Sequence, residues 1–360
     1  MTFSNQPILV NGDALPYVKT LPDDSIDLIL TDPPYYRVKS CAWERQWKTT
    51  GQYLAWLNDY LVEFQRILKP NGSLYLFCSA ELAADTEIMP RNHMRMLNHI
   101  IWAKPYGRGT GCSKEWLRSY FSSTERILFA EQYGAEGTAK NKDGYKCAEL
   151  KSEVFASLID YFITAKNQLN ITGKEIEQYM GSYMHRHWFS YSQWQLPNKT
   201  QYERLQEFFS QKAAEKKSAS SLSKNHHPLS FTHDELQRDY GELMKSHDEL
   251  KRQYENLRRP FSVTKDVPYT DVWNFPPVLY YPGKHPCEKP AALLEHIINA
   301  SSKPKHTVAD FFMGSGSTVK AAIQSGRQAI GVELETDRFL QTKKEIENLI
   351  PQINYQGMIF

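Results

Sequence analysis

The sequence predicts an α/β fold interrupted by a mainly α-helical insertion, on three observations. Short apolar runs of strand length alternate with amphipathic segments in residues 1–133 and again in 267–360. Between them, over 134–266, that rhythm gives way to short helices and a heptad pattern. Finally, two of the strands end in an acid at a specialised turn: Asp32 before Pro33-Pro34-Tyr35, and Asp310 before the Gly314-Ser315-Gly316 turn. Open α/β sheets bind their ligands at such strand ends.

Ile8-Leu9-Val10 is a short strand leading to Asp13, Leu15 to Leu21 a brief helix, and Ile26 to Leu30 a buried strand. Pro33 holds Asp32 extended, and Tyr35 adds a flat aromatic surface. An acid, a rigid backbone carbonyl and a ring suit a planar group that bears an exocyclic amine. The following segment carries Arg37, Lys39, Arg45 and Lys48 with Trp43 and Trp47 among them, a pattern suited to phosphates and stacked bases. Tyr53 to Leu68 is an amphipathic helix stopped by Lys69-Pro70-Asn71-Gly72, and Ser73 to Cys78 the next strand. A helix over Glu81 to Met89 and strands over Leu97 to Ala103 and Glu125 to Ala130 complete this part. The glycine-containing loop between the last two strands carries Lys104, Arg108, Lys114 and Arg118, which can reach phosphates.

In the insertion, Val154 to Leu169 reads as a helix. Residues 151–210 resemble a helix-turn-helix, with His185, Arg186, His187 and Trp188 on the candidate recognition helix. Residues 216–230, rich in serine and lysine, read as a linker. Over 233–258, "HDELQRDYGEL" recurs as "HDELKRQYENL", a heptad arm that packs on a neighbouring helix or serves a homodimer.

The α/β character returns at Val267. Thr307 to Phe312 is a strand, Val319 to Ser325 a helix, and Gln328 to Leu334 a strand with Glu333 near its end. A glycine turn between strand and helix, with an acid about 20 residues on, is a nucleotide-binding arrangement in which Glu333 takes ribose hydroxyls. Position 319 is Val where a dinucleotide fingerprint has its third glycine, and Asp310 would repel a pyrophosphate but welcome an ammonium. Both features favour S-adenosylmethionine over NAD.

Composition bounds the remaining choices. With 360 residues and a net charge of +2, any nucleic-acid surface must come from local patches. Five cysteines without a C-x-x-C pair argue against a disulfide framework or a cysteine-based metal site, so no metal is expected. No run approaches a membrane span and the first residues lack a leader pattern, which predicts a cytoplasmic protein and no membrane partner.

With the Asp32-Pro33-Pro34-Tyr35 strand early and the glycine turn late, the chain resembles the beta-group amino-methyltransferases of DNA, whose catalytic domain is circularly permuted. The resemblance covers residues 8–133 and 267–350. It implies a circularly permuted Rossmann-like fold that uses S-adenosylmethionine, with Asp32, Pro33, Pro34 and Tyr35 as catalytic motif. It further implies Asp310, Phe312, Gly314, Gly316 and Ser317 as cofactor loop and Asp13 beside the cofactor's adenine. His285 and Lys289 of "HPCEKP" would close over its methionine end. Phe311 stands where the family usually has proline. The whole chain looks most like prophage-encoded adenine methyltransferases of relaxed sequence specificity.

What the resemblance implies is methylation of the N6 amine of an adenine flipped out of double-stranded DNA, with Tyr35 stacked on the base. Cytosine-N4 methylation by the same fold, a helix-turn-helix regulator on an inactive fold, and an RNA substrate are the alternatives. Cys287 is not expected to act as a nucleophile.

Overall fold

A computed structural model describes residues 6–36, 45–104, 118, 120, 123–132, 147–191, 193–220, 240–262 and 270–356. The chain forms two units, one of residues 1–145 with 259–360 and one of residues 146–258. The first unit begins with β1 (Ile8–Asn11), α1 (Ala14–Thr20), β2 (Ile26–Thr31), α2 (Thr50–Ile67), β3 (Leu68–Cys78), α3 (Ala83–Arg91), β4 (Arg95–Ala103) and β5 (Thr124–Glu131). The second holds α4 (Cys147–Val154), α5 (Ala156–Gln168), α6 (Gly173–Met180), α7 (His185–Trp188), α8 (Lys199–Ser220) and α9 (Tyr240–Leu257). The first resumes with β6 (Val272–Asn274), α10 (Ala291–Ser301), β7 (Thr307–Asp310), α11 (Ser317–Gln324), β8 (Gln328–Glu333) and α12 (Thr336–Gln356).

The eight strands form one sheet in the order β1-β8-β7-β2-β3-β5-β4-β6. From β1 to β3 every pair is parallel; β5 is antiparallel to both β3 and β4, and β6 runs parallel to β4. Both faces are covered, which explains why the central strand β2 is buried at every position rather than at alternate ones. Ile29, Leu74 and Ala309 pack with residues of α1 and α2 on one face, while Leu28, Tyr75 and Val308 pack with α10 and α11 on the other.

The segment expected to stop α2 is instead the start of β3. Leu68 pairs with Ile26, and a register shift follows before the regular Leu28–Ser73 pairing. Pro70 forbids continuation of the helix, and the Gln132 side-chain amide donates to the Leu68 carbonyl (2.7 Å), holding the chain extended.

The second unit has its own core, including Phe162, Ile176, Trp188, Trp194, Tyr202 and Leu205. Thr172 and Glu175 form a reciprocal capping box on α6, which Gly181 ends in the left-handed conformation. The helix expected over Val154 to Leu169 is broken at Phe155, whose buried ring stacks on Trp194 (5.0 Å). α8 continues to Ser220, so the first residues of the expected linker are helical, as the Ala-Glu-Lys content of 213–217 favours. The remainder, 221–230, and residues 233–239 of the arm lie outside the described residues. α9 packs into this unit's core through Leu243, with His247 against Phe155 (5.7 Å).

Candidate active site

The parallel half of the sheet sets four acids side by side at one edge. β1, β8, β7 and β2 are neighbours, and at or just beyond their C-terminal ends stand Asp13, Glu333, Asp310 and Asp32 in that order. With strands about 4.8 Å apart, the row spans roughly 14 Å. Asp13 caps α1 through the Leu15 amide (3.1 Å) and accepts the Tyr60 hydroxyl (3.1 Å). Glu333 accepts the amides of Gly314 (2.8 Å) and Glu335 (2.9 Å). Asp310 accepts the Thr31 hydroxyl (2.8 Å) and the Phe312 amide (3.1 Å). Burial pushes the Asp310 carboxyl up to about 6 and also raises Glu333.

These acids open into one cavity of about 270 Å³. Trp56 and Tyr60 of α2 and the ring of Phe312 form an aromatic wall, with Phe312 5.7 Å from Trp56 and 5.1 Å from Tyr60. Among the described lining residues are five carboxylates, with Lys289 as the one lysine and no arginine. Such a set of acceptors repels phosphate and suits a ligand carrying hydroxyls and positive charge, so S-adenosylmethionine fits the site better than a dinucleotide. The glycines shape the turn rather than offering free amides: the Gly314 amide goes to Glu333 and that of Gly316 to the Met313 carbonyl (2.8 Å). Gly314 has φ +50°, and a Cβ there would lie 3.0 Å from the His285 ring; Gly316 has φ +69°, and its Cβ would lie 2.5 Å from Thr342.

The antiparallel half of the sheet brings a second set of charges to the same edge. Because β5 runs opposite to β3, its first residues lie beside the C-terminal end of β3, which places Glu125 there. β4 runs opposite to β5 and delivers Lys104, while β6 leads into the segment ending at Lys289. The buried Lys289 ammonium is paired with Oδ2 of Asp32 and lies 3.4 Å from Oε2 of Glu125; Lys104 holds the other oxygen of Glu125. Lys289 also sits over the rings of Phe77 (4.9 Å) and Tyr35 (5.7 Å). Oδ1 of Asp32 is buried and has no partner within hydrogen-bond distance among the described residues, although the Tyr35 hydroxyl is near enough to act on the carboxylate. Burial raises the Asp32 carboxyl, with Lys289 opposing, whereas for Glu125 the two lysines outweigh burial and hold it at about 2. The Tyr35 hydroxyl donates to Glu125 (3.4 Å) and is pushed well up, first by burial and then by the two carboxylates.

Asp13, Asp32, Pro33, Pro34, Tyr35, His285, Lys289, Asp310, Phe312, Gly314, Ser317 and Glu333 thus line one cavity, with Gly316 packed behind it. Glu125, Trp56 and Tyr60 were not singled out in the sequence. The i,i+4 pair of aromatics on α2 was a usable signal; Glu125, at the start of an ordinary strand, gave none.

The residues expected at DNA fare differently. Arg37, Lys39, Arg108 and Lys114 lie outside the described residues. Lys104 is taken up by Glu125. Trp47 is buried against Trp56 (4.6 Å), a core ring rather than a surface for bases. α7 is a single turn, and His185 is only 6% exposed with Nδ1 3.1 Å from the Ser182 carbonyl, so the core takes it away from any groove. Arg186 is exposed, over the ring of Tyr183 (5.0 Å).

Comparison with known proteins bears on this geometry. The chain is 24% identical over 337 residues to the DNA adenine methyltransferase YhdJ of Escherichia coli (strain K12), covering 91% of this chain and 79% of that protein. It is 40% identical over 80 residues to the type II methyltransferase M2.DpnII of Streptococcus pneumoniae, which is 21% of this chain and 30% of the relative. Among solved structures, the PvuII DNA methyltransferase (cytosine-N4-specific) aligns with a TM-score of 0.47 at 12% identity, covering 98% of this chain and 96% of that one. The M1.HpyAVI–SAM complex aligns with a TM-score of 0.45 at 17% identity, covering 94% and 98%. The N6/N4 DNA methylase family model matches residues 26–344, from the Asp32 strand through the glycine turn. The chain therefore belongs to the N6/N4 DNA methylases, a family whose methyl donor is S-adenosylmethionine.

Proposed function

We propose that this protein methylates the N6 amine of adenine in double-stranded DNA, on a base turned out of the helix, with weak sequence selectivity. The observation that carries the reading is the pairing of an ordered row of acids with a buried, unsatisfied Oδ1 on Asp32. In this reading Asp13 faces the adenine of S-adenosylmethionine, Glu333 its ribose and Asp310 its ammonium, with His285, Phe312, Gly314 and Ser317 enclosing it. When bound, it supplies an electrophilic methyl group on a sulfonium.

The chain's own residues account for the rest. Adenine's amine is a weak nucleophile because its lone pair is delocalised into the ring. The Asp32 carboxylate and the Pro33 carbonyl accept hydrogen bonds from its two N–H groups and favour a pyramidal nitrogen, and the Asp32 carboxylate takes up the proton released once the nitrogen is methylated. Tyr35 stacks on the base, and the apolar walls exclude water. Base flipping follows from the depth of Asp32, since an amine inside a duplex cannot reach a buried carboxylate.

Adenine rather than cytosine is supported by Asp32, where cytosine enzymes of this kind more often carry serine, and by the similarity to a DNA adenine methyltransferase over most of both chains. Weak selectivity is supported by the near balance of charge over 136–262, with 19 Lys plus Arg against 17 Asp plus Glu. The placement of His185 in the core supports it too, since base-edge contacts are what specify. The test is mass analysis of nucleosides from DNA treated with the protein, with single-molecule mapping of modified positions. N6-methyladenine in many contexts is expected. N4-methylcytosine alone would refute the base assignment, and a single invariant motif of four or more bases would refute weak selectivity.

A further inference from the structure

The resemblance implies that Lys289 closes over the cofactor, but in the structure its ion pairs are with Asp32 and Glu125. We propose that Lys289 is a positioning residue for the methyl-accepting amine: anchored by Glu125, its ammonium holds Oδ2 of Asp32 and leaves Oδ1 for the amine. This rests on the reading of Asp32 given above. The geometry is an alternating line of charges, Asp32, Lys289, Glu125 and Lys104, running from the cavity to the C-terminal end of β4.

The physical need is specific. An N–H of the amine requires an acceptor, and a protonated Asp32 would present a donor on one oxygen. A buried carboxylate without a cation tends to neutralise itself. Lys289 counters that tendency, and the faces of Phe77 and Tyr35 around it favour a cation while excluding water. Lys289 cannot drift away, because Glu125 binds it from the far side and is in turn held by Lys104. The other titratable groups facing this cluster are Tyr35, Cys78, Cys287 and Asp310. Burial pushes the Cys78 thiol up to about 12, so it stays neutral.

The test compares the full chain with Lys289→Met, Lys289→Arg and Glu125→Gln. Carbon-13 NMR of aspartate-labelled protein follows the Asp32 carboxyl, assigned through Asp32→Asn, and calorimetry measures S-adenosylmethionine affinity. Lys289→Met is expected to raise the Asp32 midpoint by about one pH unit or more, a tenfold change in its ionised fraction on the acid side. Cofactor affinity should change less than about threefold, and Lys289→Arg should restore part of the midpoint. Should Lys289→Met fail to fold, Glu125→Gln decides: losing a like charge lowers the Asp32 midpoint, while turnover falls about tenfold because Lys289 loses its anchor. An unmoved Asp32 midpoint together with a tenfold loss of cofactor affinity in Lys289→Met would make Lys289 a cofactor ligand and overturn the proposal. So would unchanged turnover in Glu125→Gln. The NMR midpoints of Lys289→Met and Lys289→Arg are read without methyl transfer, so they decide this proposal even if no methylated adenine is formed.

Discussion

Replacing Asp310 by Asn should stabilise the cofactor-free protein while crippling cofactor binding. The carboxylate is 4% exposed and held at about 6, against an ordinary aspartate value of 3.8. A folded-state value above the unfolded one means that the folded state holds its proton more tightly. Asp310 therefore disfavours folding increasingly as pH rises from about 4 to 6, and the penalty stays constant above that. The difference corresponds to about 3 kcal/mol at pH 8 and about half of that at pH 5. Asparagine keeps an oxygen for the Thr31 hydroxyl and the Phe312 amide, so these contacts survive. Urea denaturation of both proteins without cofactor should show Asp310→Asn more stable by about 1–3 kcal/mol at pH 8, with a smaller margin at pH 5. In the native protein, S-adenosylmethionine affinity should fall about tenfold from pH 7 to pH 5 as Asp310 protonates, whereas in Asp310→Asn it should be weak at both. A variant less stable than the native protein at pH 8, or one that binds the cofactor with unchanged affinity, would refute the reasoning.

Two further substitutions separate the ends of the site. Asp32→Ala should lower turnover about 1,000-fold, while calorimetry finds cofactor affinity nearly intact, because in the proposed reading Asp32 faces the amine; equal loss of both would mean that the two acids are wrongly assigned. Gly316→Ala should cost about 2 kcal/mol in chemical denaturation and weaken cofactor binding, since φ is +69° and the new methyl would collide with Thr342; unchanged stability and affinity would count against the turn geometry.

Much of this molecule is decided locally. The apolar runs of β2, β3 and β5 become strands because five or more consecutive buried residues between turn formers have few other outcomes. Asp32 and Asp310 are legible because proline and glycine leave the backbone after them little choice. Local pattern marked Asp32, Tyr35, Asp310, Gly314 and Glu333, which sit at or just beyond the ends of recognisable strands, whereas Asp13, His285, Lys289, Phe312 and Ser317 came through the resemblance. Local pattern did not reveal which ends become neighbours. Asp13 and Glu333 are 320 positions apart in sequence yet lie on adjacent strands, because β1 adds to the far side of β8. Nor did it show the partner of Lys289. That depends on β5 reversing direction, which brings Glu125 to the sheet end where Asp32 stands and fixes the lysine between two carboxylates. His185 and Trp47 failed for the same reason: a polar or aromatic residue in a surface-like stretch is read as exposed until its neighbours are known. Composition and spacing along the chain determine which elements form and which residues end them. Charge pairing and burial depend on distances between elements, which arise only when the sheet closes its order.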